Sequence, residues 1–272
     1  MTYSNPITTL TRRAVGRLLT SVGTLTAALL LIITAAPAAH AVIGGSPAVA
    51  GQFPTIVSVQ KNGKHFCGGS LVRADWVLTA AQCVDRATPS QFKVTGGLLG
   101  LGNTVPGVTE TREVVRIVKH QGFSESNAVD DIALIQLKAP MLNLTTAALP
   151  TQGQKFTGKA TVAGWGSTSQ PTPRPTFRHG PAASALRYVS VSLLSDPECK
   201  RQNGASIRPG MICAGDPNGG KDACTGDAGG PLVHNGKLVG IVSWGNGCAN
   251  PGTPGVYTET ARYRTWIDSK LA

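Results

Sequence analysis

Apolar positions from residue 42 onward fall in short runs rather than in long helical stripes. Thr55 to Gln60, Trp76 to Thr79, Val114 to Lys119, Ile132 to Leu137, Tyr188 to Leu193, Leu238 to Ser243 and Gly255 to Thr258 are four to six residues long and are separated by loop-rich segments. Such runs predict β-strands, and Asn62-Gly63 and Asn235-Gly236 predict two-residue hairpin turns. One segment has a different period. Tyr263, Trp266, Ile267 and Leu271 recur at spacings of three and four, so Ala261 to Leu271 is predicted as a helix laying one apolar face on the body. Ser167 to Ala185, with four prolines plus Arg174, Arg178 and His179, is predicted as a long polar loop because strand signals resume directly after it. Internal repeats are not evident.

The first forty residues follow another rule. Arg12, Arg13 and Arg17 precede an apolar stretch from Leu18 to Ala36, and Ala39-His40-Ala41 supplies the small-x-small pattern of a cleavage site. Residues 1–41 are therefore predicted to be a secretory signal peptide, leaving a secreted chain with no membrane attachment. A retained membrane anchor is the competing reading, and Thr20, Thr24, Thr26 and Pro37 weaken it. Thr11-Arg12-Arg13 faintly resembles a twin-arginine signal, so the export route stays open.

Composition narrows the class. The 272 residues are 41% hydrophobic and only 14% charged, with 33 Gly and 18 Pro, which excludes a disordered chain and a helical bundle and favours an all-β chain with many loops. Removing residues 1–41, which carry three arginines and no acidic residue, lowers the net charge from +11 to +8. Arg112, Arg116, Lys119, Arg174 and Arg178 keep a polyanion-binding adhesion protein in view. No basic stripe interleaved with aromatics appears, so no specific nucleic-acid partner is expected. All six cysteines lie after residue 41, and an even number in an exported chain points to disulfides, with fifteen connectivities compatible with spacing alone. The absence of a Cys-x-x-Cys or clustered-His pattern leaves no metal or other cofactor to expect.

Several motifs then stand in one order along the chain. They are Val42-Ile43-Gly44-Gly45, Cys67-Gly68-Gly69-Ser70, Trp76-Val77-Leu78-Thr79-Ala80-Ala81, Asp131-Ile132-Ala133-Leu134, Gly164-Trp165-Gly166, Met211-Ile212-Cys213-Ala214-Gly215, Gly226-Asp227, Ser243-Trp244-Gly245 and Pro254-Gly255-Val256-Tyr257. In this the chain resembles the trypsin-like serine proteases over its whole length after residue 41. The resemblance implies two packed six-stranded antiparallel β-barrels, residues 42–152 and 153–272, with a C-terminal helix and a cleft between the barrels. It also implies three local disulfides, Cys67–Cys83, Cys199–Cys213 and Cys224–Cys248. Each closes a loop of about 15 to 25 residues, worth roughly 3 kcal/mol on the chain-entropy model.

The departures from the family pattern bear on activity. Where the family places its catalytic histidine, after Thr79-Ala80-Ala81 and before Cys83, this chain has Gln82; where it places the nucleophilic serine, this chain has Ala228 in Gly226-Asp227-Ala228-Gly229-Gly230-Pro231. Asp131 is the surviving member of the triad. An alanine methyl has no lone pair for attack and a glutamine amide is not basic in water, so a catalytically inactive homologue is expected. His65 resembles a first-barrel histidine that some precursors of the family use to hold the Asp of Gly-Asp-Ser, but its plainer reading, like that of His120, His179 and His234, is structural or superficial.

By the same resemblance a binding apparatus persists. Asp222 stands at the floor of the primary specificity pocket and selects Arg or Lys; the Ser243-Trp244-Gly245 backbone pairs with an extended peptide; Gly245 and Gly255 leave the pocket walls open; and the N–H groups of Gly226 and Ala228 form the oxyanion hole. No Arg or Lys precedes Val42 as an activation site, so leader cleavage would itself free Val42 to pair with Asp227. Gln82 is expected to donate from its amide to Asp131 while Ser243 donates from another side. The expected partner is a peptide or protein carrying Arg or Lys, a protease inhibitor included, bound by a monomer. An active protease of Arg/Lys specificity with unorthodox chemistry and the basic adhesion protein remain as alternatives. Asn143-Leu144-Thr145 matches a glycosylation sequon of little diagnostic weight.

Overall fold

A computed structural model describes residues 42–167 and 184–272. The predicted signal peptide and residues 168–183 of the predicted loop lie outside them.

Thirteen strands are present among the described residues: β1 Ser46–Pro47, β2 Ile56–Lys61, β3 Lys64–Arg73, β4 Trp76–Thr79, β5 Phe92–Gly96, β6 Glu110–Lys119, β7 Ala133–Leu137, β8 Gly158–Gly164, β9 Arg187–Leu193, β10 Met211–Gly215, β11 Pro231–His234, β12 Lys237–Trp244 and β13 Gly255–Glu259. Strands β2-β3-β4-β7-β6-β5 close into one antiparallel barrel. Strands β9-β10-β13-β12-β11-β8 close into a second through the β8–β9 pairing, with β1 added outside β9. Closure pairs every barrel strand on both sides, so neither sheet is left with a long free edge. Both predicted hairpin turns form, with Asn62 and Gly63 at φ 52° and 77° and Asn235 and Gly236 at φ 47° and 76°. Those left-handed pairs match the right-handed twist of the strands they join.

Each predicted strand run is a strand, with the bounds of Trp76–Thr79 unchanged and the others displaced at one or both ends, and β1, β3, β5, β8, β10 and β11 add to them. Strand β3 carries Cys67-Gly68-Gly69 at its centre. In the fold the strand needs those small residues: a Cβ on Gly68 would stand 2.7 Å from Gly230 Cα. The terminal helix is shorter than predicted. Thr260–Tyr263 forms a 3-10 turn and only Arg264–Leu271 (α2) is α-helical, with Ile267 buried. A second helix, α1 at Asp196–Asn203, escapes the apolar-period test because it buries only Cys199 and Asn203. Its signals are local: Ser195 caps it by accepting from Glu198 N at 3.4 Å, and Pro197 and two acidic residues occupy its first turn.

One apolar core runs through both barrels and includes Leu78, Leu134, Ile135, Leu232, Val242 and Tyr257. Three disulfides join Cys67 to Cys83, Cys199 to Cys213 and Cys224 to Cys248. Polar bonds stitch the barrel faces together. Gly68 N of β3 donates to Ala228 O at 2.8 Å, and Thr258 Oγ1 of β13 donates to Asp131 O at 2.8 Å. Tyr263 Oη, just before α2, donates to Asp130 Oδ1 at 2.6 Å. No helix among the described residues is long and apolar enough to cross a membrane, and no cluster of three or more His, Cys, Asp or Glu side chains suits a metal ion.

Candidate active site

The β4–β7 pairing sets the first half of the site. Thr79 lies opposite Ala133, so Gln82, in the 3-10 turn Ala81–Cys83 just past β4, and Asp131, just before β7, leave the first barrel side by side. Gln82 N donates to Asp131 Oδ1 at 2.8 Å, and Gln82 Nε2 donates to Asp131 Oδ2 at 2.6 Å. The second barrel supplies another donor. Between Val242 and Trp244 the β12–β13 register slips by one residue, and this bulge turns Ser243 toward the first barrel. There Ser243 Oγ donates to Asp131 Oδ2 at 2.6 Å, while Ser243 O accepts from Gln82 Nε2 at 2.7 Å. Asp131 is fully buried, so these donors offset what would otherwise be a costly uncompensated carboxylate.

Ala228 sits in the turn before β11, completely buried, with its carbonyl held by Gly68. The neighbouring carboxylate fastens that turn from beneath. Asp227 Oδ1 accepts from Gly166 N at 2.7 Å and Oδ2 accepts from Cys224 N at 2.9 Å. Burial pushes the Asp227 carboxyl up to about 7 against the pull of those two N–H groups. Gly166 is required there, because a Cβ would lie 2.5 Å from Asp227 Cγ. His65 braces the same turn from the other side. Its Nε2 donates to Gly226 O at 3.0 Å and its Nδ1 accepts from Ser58 Oγ at 2.8 Å, so it holds Gly226 rather than Asp227. Burial lowers its pKa, which keeps the ring in this neutral tautomer.

Beside the turn lies the Asp222 carboxylate, 1% exposed. Its Oδ2 accepts from Ala249 N at 3.0 Å, whereas Oδ1 has no hydrogen-bond partner. The Cys224–Cys248 bridge ties the two chain segments that meet here, and Ile43 exchanges backbone bonds with Asp222 at 3.0 and 3.3 Å. Trp244 pairs with Val256, which sets Gly245 and Gly255 on facing walls. A Cβ on Gly255 would stand 2.6 Å from Asp222 Oδ1 and 3.4 Å from Tyr257 Oη, so glycine keeps the space above both atoms open. Burial pushes Asp222 up to about 7, opposed by the N–H groups of Ala249 and Ala223. Val42 is fully buried in the core cluster that also holds Ala223 and Cys224.

Gln82, Asp131 and Ser243 are thus linked through hydrogen bonds across the barrel seam, Ala228 is tied across it to Gly68, and Asp222, Asp227, Gly226, Trp244, Gly245 and Gly255 belong to the second-barrel side. Four contributors escape sequence reasoning. Thr258 holds the backbone of Asp131; Gly166 and Cys224 hold Asp227 through main-chain atoms; and Tyr257 Oη is a second buried, unpartnered polar atom at the pocket. Gly166 and Cys224 act through backbone N–H groups that every sequence contains, whereas Thr258 acts through its side-chain hydroxyl on a main-chain carbonyl. Gly166 and Tyr257 stand inside recognisable motifs, which were the available signals.

Comparison with known proteins places this geometry. The trypsin family model matches residues 42–267. The chain is 40% identical over 241 residues to Trypsin-1 of Astacus astacus, covering 83% of this chain and 98% of that protein. It is 37% identical over 235 residues to Cationic trypsin-3 of Rattus norvegicus, covering 85% and 90%, and 37% identical over 236 residues to Trypsin alpha-4 of Lucilia cuprina, covering 84% and 86%.

Gln82→Leu removes the two bonds made by Nε2 while keeping comparable bulk, and should destabilise the fold by about 1–3 kcal/mol. Gln82→His retains an N–H for Asp131 and should melt near the parent. Thermal unfolding of the three proteins measures this; a Leu variant as stable as the parent would show that the amide contributes nothing to holding Asp131.

Proposed function

The chain belongs to the trypsin family, and from that premise we propose that it is a secreted, catalytically inactive member that binds peptides or proteins through an Arg or Lys side chain. The observation that carries the reading is the amide of Gln82, committed to Asp131 and Ser243 O, together with the methyl in which residue 228 ends. Hydrolysis through an acyl-enzyme needs a nucleophile, a base to take its proton and a carboxylate to orient that base. Here the carboxylate alone remains. The Gln82 N–H₂ points at Asp131 as an imidazole N–H would, but no lone pair of useful basicity stands behind it. Among the described residues no other histidine replaces it: His65 lies under Gly226, His120 is beside Asp130 and His234 donates to Lys159 O. Losing nucleophile or base costs on the order of 10⁶ in turnover in subtilisin, and the two losses overlap because the groups act as a unit.

Binding rests on other atoms. The unpartnered Asp222 Oδ1 and the open space over Gly255 suit a guanidinium or ammonium, and the Ser243-Trp244-Gly245 strand suits an extended backbone. Trypsin-family clefts take peptide substrates and inhibitor loops, so a partner presenting Arg or Lys on an extended segment is the class proposed, held by a monomer of two barrels spanning residues 42–152 and 153–272.

We also propose that removal of residues 1–41 makes Val42 the amino terminus and that its ammonium pairs with Asp227. An Asp whose pKa is raised on folding favours the native state at low pH, and that contribution is lost as pH rises from about 4 through about 7. Pairing with an ammonium cancels the loss, each unit of elevation being worth about 1.4 kcal/mol. Amino-terminal sequencing of secreted protein should return Val42. Between pH 5 and 8 the uncleaved chain should lose more stability than the mature one; equal losses in the two forms would argue against the ion pair.

Two assays address the cleft itself. The parent should leave arginyl, lysyl and phenylalanyl peptide substrates intact, whereas Gln82→His with Ala228→Ser should cleave after Arg and Lys and either single change should not. Robust parent activity abolished by Asp131→Asn would overturn the inactive reading. Benzamidine should bind the parent, more tightly as pH rises through about 7 because the cation needs Asp222 ionised, and Asp222→Ala should abolish the binding measured by calorimetry.

A further inference from the structure

The second barrel has a concavity of about 250 Å³ at the Glu259 end of β13. Gly255 and Glu259 are the two ends of that strand, so at about 3.3 Å per residue the concavity lies about 13 Å along it from the wall of the Asp222 pocket. Four cations line it, Lys155, Lys200, Arg208 and Arg262, against two carboxylates, Asp196 and Glu259. One cation serves both carboxylates. Lys155 Nζ lies 2.9 Å from Glu259 Oε1 and 3.6 Å from Asp196 Oδ2. Lys200, Arg208 and Arg262 are exposed and make no ion pair among the described residues, so their charge stands unbalanced there.

The backbone that carries these cations is braced. The Cys199–Cys213 bridge ties α1, which holds Lys200, to β10. Arg208-Pro209-Gly210-Met211 is a tight turn: Met211 N donates to Arg208 O at 3.2 Å, proline takes the second position and Gly210 the third, at φ +90°. Glu259 N fastens the turn to β13 by donating to Gly210 O at 2.8 Å. A Cβ on Gly210 would stand 2.9 Å from Arg262 Cδ, so glycine lets the turn pack on the Arg262 stem. Arg208 Nη1 donates to Ala205 O, which leaves the rest of its guanidinium fork for a ligand.

The lining also selects among anions. Guanidinium forks match the paired oxygens of a sulfate or phosphate group, and hydrogen bonds between charged partners are the strong ones. No aromatic side chain lines the concavity, so it lacks the stacking surface that single-stranded nucleic acid uses. Ile207, Pro209 and Met211 instead give an apolar wall for the C–H face of a saturated ring. The volume falls below the range of about 300–1,000 Å³ usual for drug-sized ligands and suits one ring with its substituents. The cations that suggest a polyanion partner in the sequence are a different set, of which Arg112 and Lys119 are paired with Glu110 and Asp85.

We propose that this concavity is a second binding site, separate from the cleft, for a sugar unit carrying sulfate or phosphate esters, as found in an acidic glycan. Lys200, Arg208 and Arg262 hold the ester oxygens, and Ile207, Pro209 and Met211 pack on the ring.

Calorimetry on the purified protein at low and moderate salt tests this with glucose pentasulfate, glucose 1,6-bisphosphate, unmodified glucose, a thymidine oligonucleotide and a hexaglutamate peptide. At least one esterified sugar should bind, more weakly at the higher salt, and the tighter of the two identifies the ester. Lys200→Gln, Arg208→Gln and Arg262→Gln should each weaken that binding at least about fivefold. Lys64→Gln, on the β2–β3 hairpin of the other barrel, should leave it unchanged. All four side chains are exposed, so the variants should melt with the parent. An equal loss on Lys64→Gln would show attraction to a basic surface at large and overturn the proposal. Binding of neither ester, or binding of glucose, oligonucleotide or peptide as tight as that of the better ester, would overturn it as well.

Discussion

A carboxylate buried in the seam between two barrels is the constraint around which this structure is arranged. Asp131 is fully buried, so its oxygens must find donors or the fold pays heavily for the charge. The donors come from opposite sides: Gln82 from the end of β4 in the first barrel, Ser243 from the bulge in β12 in the second. Thr258 of β13 secures the backbone of the same residue. Closing these bonds requires the barrels to dock in one arrangement, and that arrangement also aligns Gly68 with Ala228. The demand is structural before it is catalytic, which explains why glutamine is a tolerable occupant of position 82. It keeps an N–H for the carboxylate and gives up only the basic lone pair.

The same separation runs through the rest of the cleft. Groups that would perform bond cleavage are side chains at positions 82 and 228, each exchangeable by one substitution. Groups that would position a ligand are largely main chain, held by atoms with independent reasons to stay. Asp227 anchors its turn through the N–H groups of Gly166 and Cys224, His65 braces Gly226, and the Cys224–Cys248 bridge fixes the loop that carries Asp222 to the loop that carries Ala249. With an amide at position 82 and a methyl at position 228, all of these contacts are in place. The pocket carboxylate is the exception to this economy of side chains, since Asp222 Oδ1 is buried without a partner. A buried acceptor of that kind favours the neutral acid.

Much of the architecture was legible in the chain because it depends on local chemistry. Short β-branched runs bounded by turn residues marked seven strands, Asn62-Gly63 and Asn235-Gly236 marked two hairpins by their tolerance of positive φ, and an even set of cysteines marked the disulfides. Residue identity also determined what positions 82 and 228 are able to do, since a methyl and an amide have the same chemistry in any fold. Other features depended on partners far along the chain. Strand β3 is a strand because Gly68 and Gly69 allow close packing against Gly230, Val57 and Val77. Helix α1 rests on a cap and a disulfide rather than on an apolar stripe.

Only the tertiary structure decided the site. Gln82, Asp131, Ala228 and Ser243 come from four separate segments, and their contacts are set by the Thr79–Ala133 register, by the one-residue slip in β12 and by closure of each barrel. A register is a cooperative property of paired strands, so no single segment contains it. That His65 turns to Gly226 rather than Asp227 and that Tyr257 Oη lies buried beside Gly255 are likewise outcomes of hydrogen-bond competition across the assembled fold. The sequence by itself determined which side chains could carry charge, donate or attack; folding decided which of them meet, because distance between residues far apart in the chain exists only once both barrels have closed.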